Sequence, residues 1–150
     1  MSNAMTVLRD AYERAFNLPP AAVEWLLMLF EAIQLFDDCA DDDKFSRADL
    51  DSVIWSTLVA MPSNTFFLAN HQELASGVAN LILKWQASDA VERSKQHNEV
   101  SFVWRAGYYD LVLTAIRLCH GPAVAHKCAV QVMQLYGEKY ADYAKEFGDA

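Results

Sequence analysis

From Pro20 to Phe36 the chain reads PAAVEWLLMLFEAIQLF, and no other stretch limits the fold as strongly. At helical spacing Glu24, Glu31, Gln34 and Asp38 share one stripe, and nearly all the remaining circumference is apolar. A helix greasy on so many sides has to be surrounded by other elements. Its longest apolar part, WLLMLFEAIQLF, is interrupted by Glu31 and Gln34 and is shorter than the roughly 20 residues a membrane helix requires. It therefore reads as a core helix, with no membrane role. Pro20 suits its first turn, where a missing N–H removes no hydrogen bond.

The rest of the chain has the means to surround such a helix. With 150 residues, 53% of them hydrophobic, it can bury a core without metals or disulfides. Five glycines and four prolines are too few for a many-turned all-β domain. The expected fold is all-α, a five- or six-helix, mostly antiparallel bundle forming a single domain over residues 5–150. Residues 1–4, ahead of Met5, read as the scar of a cleaved tag and are set aside. Arg9, Asp10, Glu13 and Arg14 stand where a signal peptide needs apolar residues. Three cysteines, Cys39, Cys119 and Cys128, form no CxxC pair and cannot all be bridged, which suits a reducing, cytoplasmic setting.

The remaining helices have local signals. One is expected from Thr6 to Asn17, stopping before Leu18-Pro19-Pro20. Ser46, followed by Asp49, starts another that runs to about Met61. Asn64 caps a long helix from Thr65 towards Gln96, with Phe67, Leu74, Val78, Leu81, Ile82 and Trp85 inward. A fifth spans about Asn98 to His120 and ends at Gly121-Pro122, a C-terminal glycine before an N1 proline. The last turns Ala129, Val132, Met133, Tyr136, Tyr140 and Phe147 inward. Gly77, Gly107 and Gly137 fall inside these helices, where close helix–helix approach would explain them.

Charge is concentrated in one place. Residues 1–75 hold twelve acids against four bases, whereas residues 76–150 hold eight of each. Without a basic stripe the chain is a poor nucleic-acid binder. Seven aspartates lie in FDDCADDDKFSRADLD, Phe36 to Asp51. With Asp38 at position 1, this stretch resembles a degenerate single EF-hand loop, Asp42 at position 5, Phe45 at 8 and Asp49 at 12. Ala40 stands at position 3 and Asp43 at the glycine position, and no second loop pairs with it. Asp37-Asp38-Cys39-Ala40-Asp41 also resembles the DDxxD motif of class I isoprenoid synthases. That resemblance implies magnesium held by helical carboxylates and a diphosphate substrate, with Glu31 and Glu24 extending the stripe. It covers five residues and no downstream partner motif accompanies it. The plainest reading is a solvated helix–loop–helix connection.

Two further constellations stand out. CHGPAVAHKC, Cys119 to Cys128, gathers two cysteines and two histidines, but the spacing points them to different sides of a helix. His71 falls on the stripe of Leu74, Val78 and Trp85, where it would need a partner such as Glu31 or Asp38. Trp85, Trp104, Tyr108 and Tyr109 offer aromatic surface for an interface.

The function expected is that of a non-enzymatic protein–protein interaction module, a homodimer needing no cofactor. Its partner surface would be Asp41, Asp42, Asp43 and Asp49. The alternative is a Mg- or Mn-dependent enzyme acting on a phosphorylated or diphosphate small molecule through segment 37–43. In it Glu31, Asp37, Asp38 and Asp41 are the metal ligands and His71 the base.

Overall fold

The computed structural model describes residues 3–147, and among them the chain is helical with no strand. It falls into two compact units that divide after His71.

In the first unit everything is arranged around α2 (Pro20–Ala40), with Pro20 in its first turn as its sequence requires. Ala22, Val23, Trp25, Leu26, Leu27, Leu29, Ala32 and Leu35 are buried along it. Each large one contributes about 1.5–3 kcal/mol through the surface it removes from water. α1 (Asn3–Asp10) continues as a single wider turn, Ala11–Ala15, and stops at Asn17, whose left-handed φ of 49° ends the helix. Arg9 ties it to α2 through Glu24 at 2.7 Å.

On another side lies α3 (Arg47–Trp55), capped by Ser46, whose Oγ accepts the Asp49 N–H at 3.0 Å. The same rod continues as a π-type turn, Ser56–Ala60, and a short α4 (Met61–Ser63), two residues beyond the expected stop. The Met61 N–H reaches back to the Ser56 carbonyl, so the ladder widens just ahead of Pro62. In a regular turn the ring of Pro62 would collide with the carbonyl four residues back. α5 (Thr65–Ala69) begins at Asn64, whose side chain accepts from Phe67 N–H and donates to the Ala21 carbonyl, both at 3.0 Å. Phe67 stacks on Trp25 and Phe66 meets it edge-on.

The second unit is a hairpin of α6 (His71–Arg93) against α7 (Glu99–Trp104) and α8 (Tyr108–His120). Contacts pair Glu73 with Arg117, Gly77 with Leu111, Leu81 with Gly107 and Ser88 with Ser101. One partner rises as the other falls, so the two arms run antiparallel. α8 turns at Gly121, φ 90°, into α9 (Pro122–Gln134), which packs back on it. α10 (Tyr140–Glu146) folds onto α7.

The expected count of five or six helices is not met, because three long helices are each divided. Asn70 separates α5 from α6, its Nδ2 donating to the Phe66 carbonyl at 3.0 Å and so leaving the ladder. The chain loosens over Arg105–Gly107, and again between Gln134 and Tyr140. Ile82 and Met133, expected inward, are exposed, and Tyr143 is buried instead.

Close approach explains Gly77, since a Cβ there would overlap the Leu111 side chain, itself buried. Gly137 has nothing within 4 Å of such an atom. Gly77→Ala should therefore lower stability by about 1–3 kcal/mol, overpacking outweighing the roughly 1 kcal/mol gained in helix propensity. Gly137→Ala should lower it far less. Denaturant midpoints of the two variants decide the matter, and equal midpoints would refute it.

Candidate functional site

The acidic stretch begins on helix, not in a loop. α2 runs four residues past Phe36, so Asp37 and Asp38 lie in its last turn and Asp41 caps it. Asp42 then takes a left-handed φ of 56°. The Asp43 N–H bonds to the Asp38 carbonyl at 2.9 Å, and the Asp42 N–H to that of Cys39 at 3.4 Å. This is a Schellman cap with aspartate where glycine is usual. In the EF-hand alignment the left-handed residue is position 5, not position 6, and the first three positions are helical.

The electrostatics of this cap are unfavourable. A helix C-terminus carries partial negative charge and is stabilised by cations. Here the last turn of α2 holds no basic residue, and Asp37, Asp38, Asp41, Asp42 and Asp43 crowd it. Of the seven, Asp49 alone lies in the first turn of α3, where a helix welcomes negative charge, while Asp51 pairs with Arg47 at 2.9 Å. Asp41, Asp42, Asp43 and Asp49 are all exposed.

Beside this corner, between α1, α2 and α3, lies an open recess of about 460 Å³. α2 gives it Glu31, Gln34, Leu35 and Asp38 from successive turns, with Phe30 alongside. Met5 comes from α1, Asp49, Ser52 and Val53 from α3, and Lys44 and Phe45 from the connection. Of the four expected metal ligands, Glu31 and Asp38 reach the recess, while Asp37 and Asp41 are not on its wall. Adjacent helical residues such as Asp37 and Asp38 point about 100° apart, which divides a DDxxD between two faces. Among the described residues no three His, Cys, Asp or Glu side chains are grouped closely enough to hold a metal ion. His71 is exposed at the first position of α6 and does not line the recess. The expected place for it on a buried stripe beside Leu74 is corrected, because α6 begins at His71 itself after the break at Asn70. Cys119 and Cys128 are half-buried and, like exposed Cys39, unbridged.

The second unit holds a polar cluster that sequence reasoning missed. Ser101 Oγ lies 2.6 Å from the Tyr143 hydroxyl, which donates to Glu92 Oε2 at 3.0 Å. Ser88 Oγ reaches the same carboxylate oxygen at 3.1 Å and the Ser101 carbonyl at 2.8 Å. Arg105 stands 3.8 Å from both Glu92 and Glu138, with its guanidinium over the Tyr143 ring. Burial pushes the Glu92 carboxyl above its ordinary range, only partly opposed by Arg105 and the hydroxyl hydrogen bonds. Burial first, helped by Glu92, raises the Tyr143 hydroxyl to about 12. The cluster anchors α10 to the hairpin. Its one legible signal was Asn98-x-x-Ser101, which forms a reciprocal capping box at the start of α7.

Because folding raises the pKa of Glu92, the folded chain binds more protons than the unfolded chain just above the ordinary value of 4.5. This group's contribution to stability is then greatest at low pH and falls as pH rises through the folded value. The stability difference between wild type and Glu92→Gln should therefore shift in favour of the variant from about pH 4 to about pH 7. Melts at both values test this, and a shift towards wild type would overturn it. No protein-family model, curated protein or solved structure matches the chain.

Proposed function

We propose that the chain is a non-enzymatic protein-interaction module whose docking surface is the acidic corner joining α2 and α3, centred on Asp41, Asp42, Asp43 and Asp49. The observation that carries this reading is the cap of α2. Five aspartates are gathered at the negative end of a helix, one of them in a left-handed conformation, and the last turn of that helix holds no basic residue. Local choices that oppose the fold tend to sit at functional positions. A basic partner surface would turn the same repulsion into attraction and speed encounter.

Self-association belongs to the same reading. Ile54, Trp55 and Leu58 leave an apolar face exposed on α3 and its continuation. Exposed apolar patches of this kind mark interfaces. Light scattering on the eluting protein should give twice 16.9 kDa, and the single-chain mass would exclude the homodimer.

Replacing Asp41, Asp42 and Asp43 together by Asn should abolish capture of a partner and leave the fold intact. The variant should also be more stable, by roughly 0.3–1 kcal/mol for each charge removed from the helix end. Unchanged capture would refute the module reading. Melts of the wild type with magnesium or manganese test the enzyme alternative, which has Glu31 and Asp38 on the recess wall in its favour. Stabilisation by either metal, lost in Asp38→Asn, would put that alternative first.

A further inference from the structure

We infer that the recess beside the acidic corner is a socket for one apolar side chain of a basic, amphipathic partner segment, whose Lys or Arg side chains meet Glu31, Asp38 and Asp49. This rests on the module reading and names the chemistry of its partner.

The walls set the first requirement. Phe30, Leu35, Phe45 and Val53 make part of the wall apolar and polar side chains the rest, and Phe45 remains 42% exposed. A volume of about 460 Å³ lies within the range of small-ligand sites, roughly 300–1,000 Å³. A bare cation would leave those walls wet. The charges set the second requirement: Glu31, Asp38 and Asp49 face the recess against Lys44 alone. A phosphate or other anion would meet net repulsion, and a neutral hydrophobe would strip water from carboxylates without replacing it. An apolar body beside positive charge satisfies both.

The extent of the charge sets the third. Asp41, Asp42, Asp43 and Asp51 continue the negative field without lining the recess. A small amine filling the recess would leave that field unused, whereas a peptide segment can seat one anchor and lay further basic residues along the corner. This is the anchor-in-groove mode of peptide recognition. The charge balance of residues 1–75, twelve acids to four bases, gives such a segment long-range attraction as well.

The test uses the full chain and three fluorescein-labelled synthetic peptides: alternating Lys and Ala with one central Trp, the same with Ala for Trp, and the Trp peptide with Glu for every Lys. Fluorescence anisotropy should show the basic Trp peptide binding at least about tenfold more tightly than its Ala counterpart, as about 1.4 kcal/mol from the anchor implies. The Glu peptide should not bind. Ser52→Trp, which fills the recess from an exposed position on α3, should reduce the Trp peptide to the affinity of the Ala peptide, and Phe45→Ala should weaken it in the same direction. Melts of both variants verify that the fold is retained. Equal binding of the two basic peptides, or indifference to both variants, would overturn the socket. The acidic docking surface would then still stand if Asp41, Asp42 and Asp43 to Asn weakened both peptides. No binding of either basic peptide would also overturn the inference, and partner capture by that triple variant would separately decide the module reading.

Discussion

The first unit exists to hide α2. Eight of its residues are buried, and no single neighbour is broad enough to cover them. α1, α5 and the rod that contains α3 and α4 all pack against it. The local devices of the unit all serve this requirement. Asn64 caps one short helix and grips the carbonyl of Ala21 with the same side chain, so the start of α5 is fastened to the start of α2. The widened turn before Pro62 lets one continuous rod stay against α2 despite a residue that cannot donate. Trp25, the largest of the buried side chains, is boxed by Phe66 and Phe67.

Where that helix ends, the logic reverses. Its flanks are solved by burial, but its C-terminus is left with charge of the wrong sign. The Schellman hydrogen bonds satisfy the backbone, so the fold tolerates the aspartates without being helped by them. Satisfied geometry with opposed electrostatics distinguishes this corner from the other caps. At Lys95 the same cap geometry recurs at the end of α6, φ 60°, with a basic residue in the left-handed position. One unit caps with the favourable sign and the other against it.

Much of this architecture was legible because its signals are local. Ser46, Asn64, Asn98 and Gly121-Pro122 marked helix ends that the structure places there, each through a hydrogen bond or a φ angle the residue type favours. The single stripe of Glu24, Glu31, Gln34 and Asp38 gave the orientation of α2. Breaks at Asn70, Arg105–Gly107 and after Gln134 were not legible, since no proline falls at any of them. His71 keeps the helix face of Leu74, but the break leaves it at the exposed first position of α6, where burial does not reach it. At the site, Asp38 and Glu31 share the recess because they lie seven residues apart. The separation of Asp37 follows from helix geometry, and the motif spelling conceals it. The polar cluster around Glu92 depends on Tyr143, 51 residues away in the chain, and no sequence spacing announces such a pair.

The acid-crowded cap also makes ionic strength a two-sided variable for this protein. Mobile cations screen the carboxylates from one another and from the end of α2 over a distance of about 8 Å at physiological salt. Screening relieves the free fold and, on the proposed docking surface, would weaken the hold on a basic partner at the same time. Under that proposal added salt would drive stability and affinity in opposite directions, and the dilute condition that strains the lone chain would be the one in which a complex is tightest.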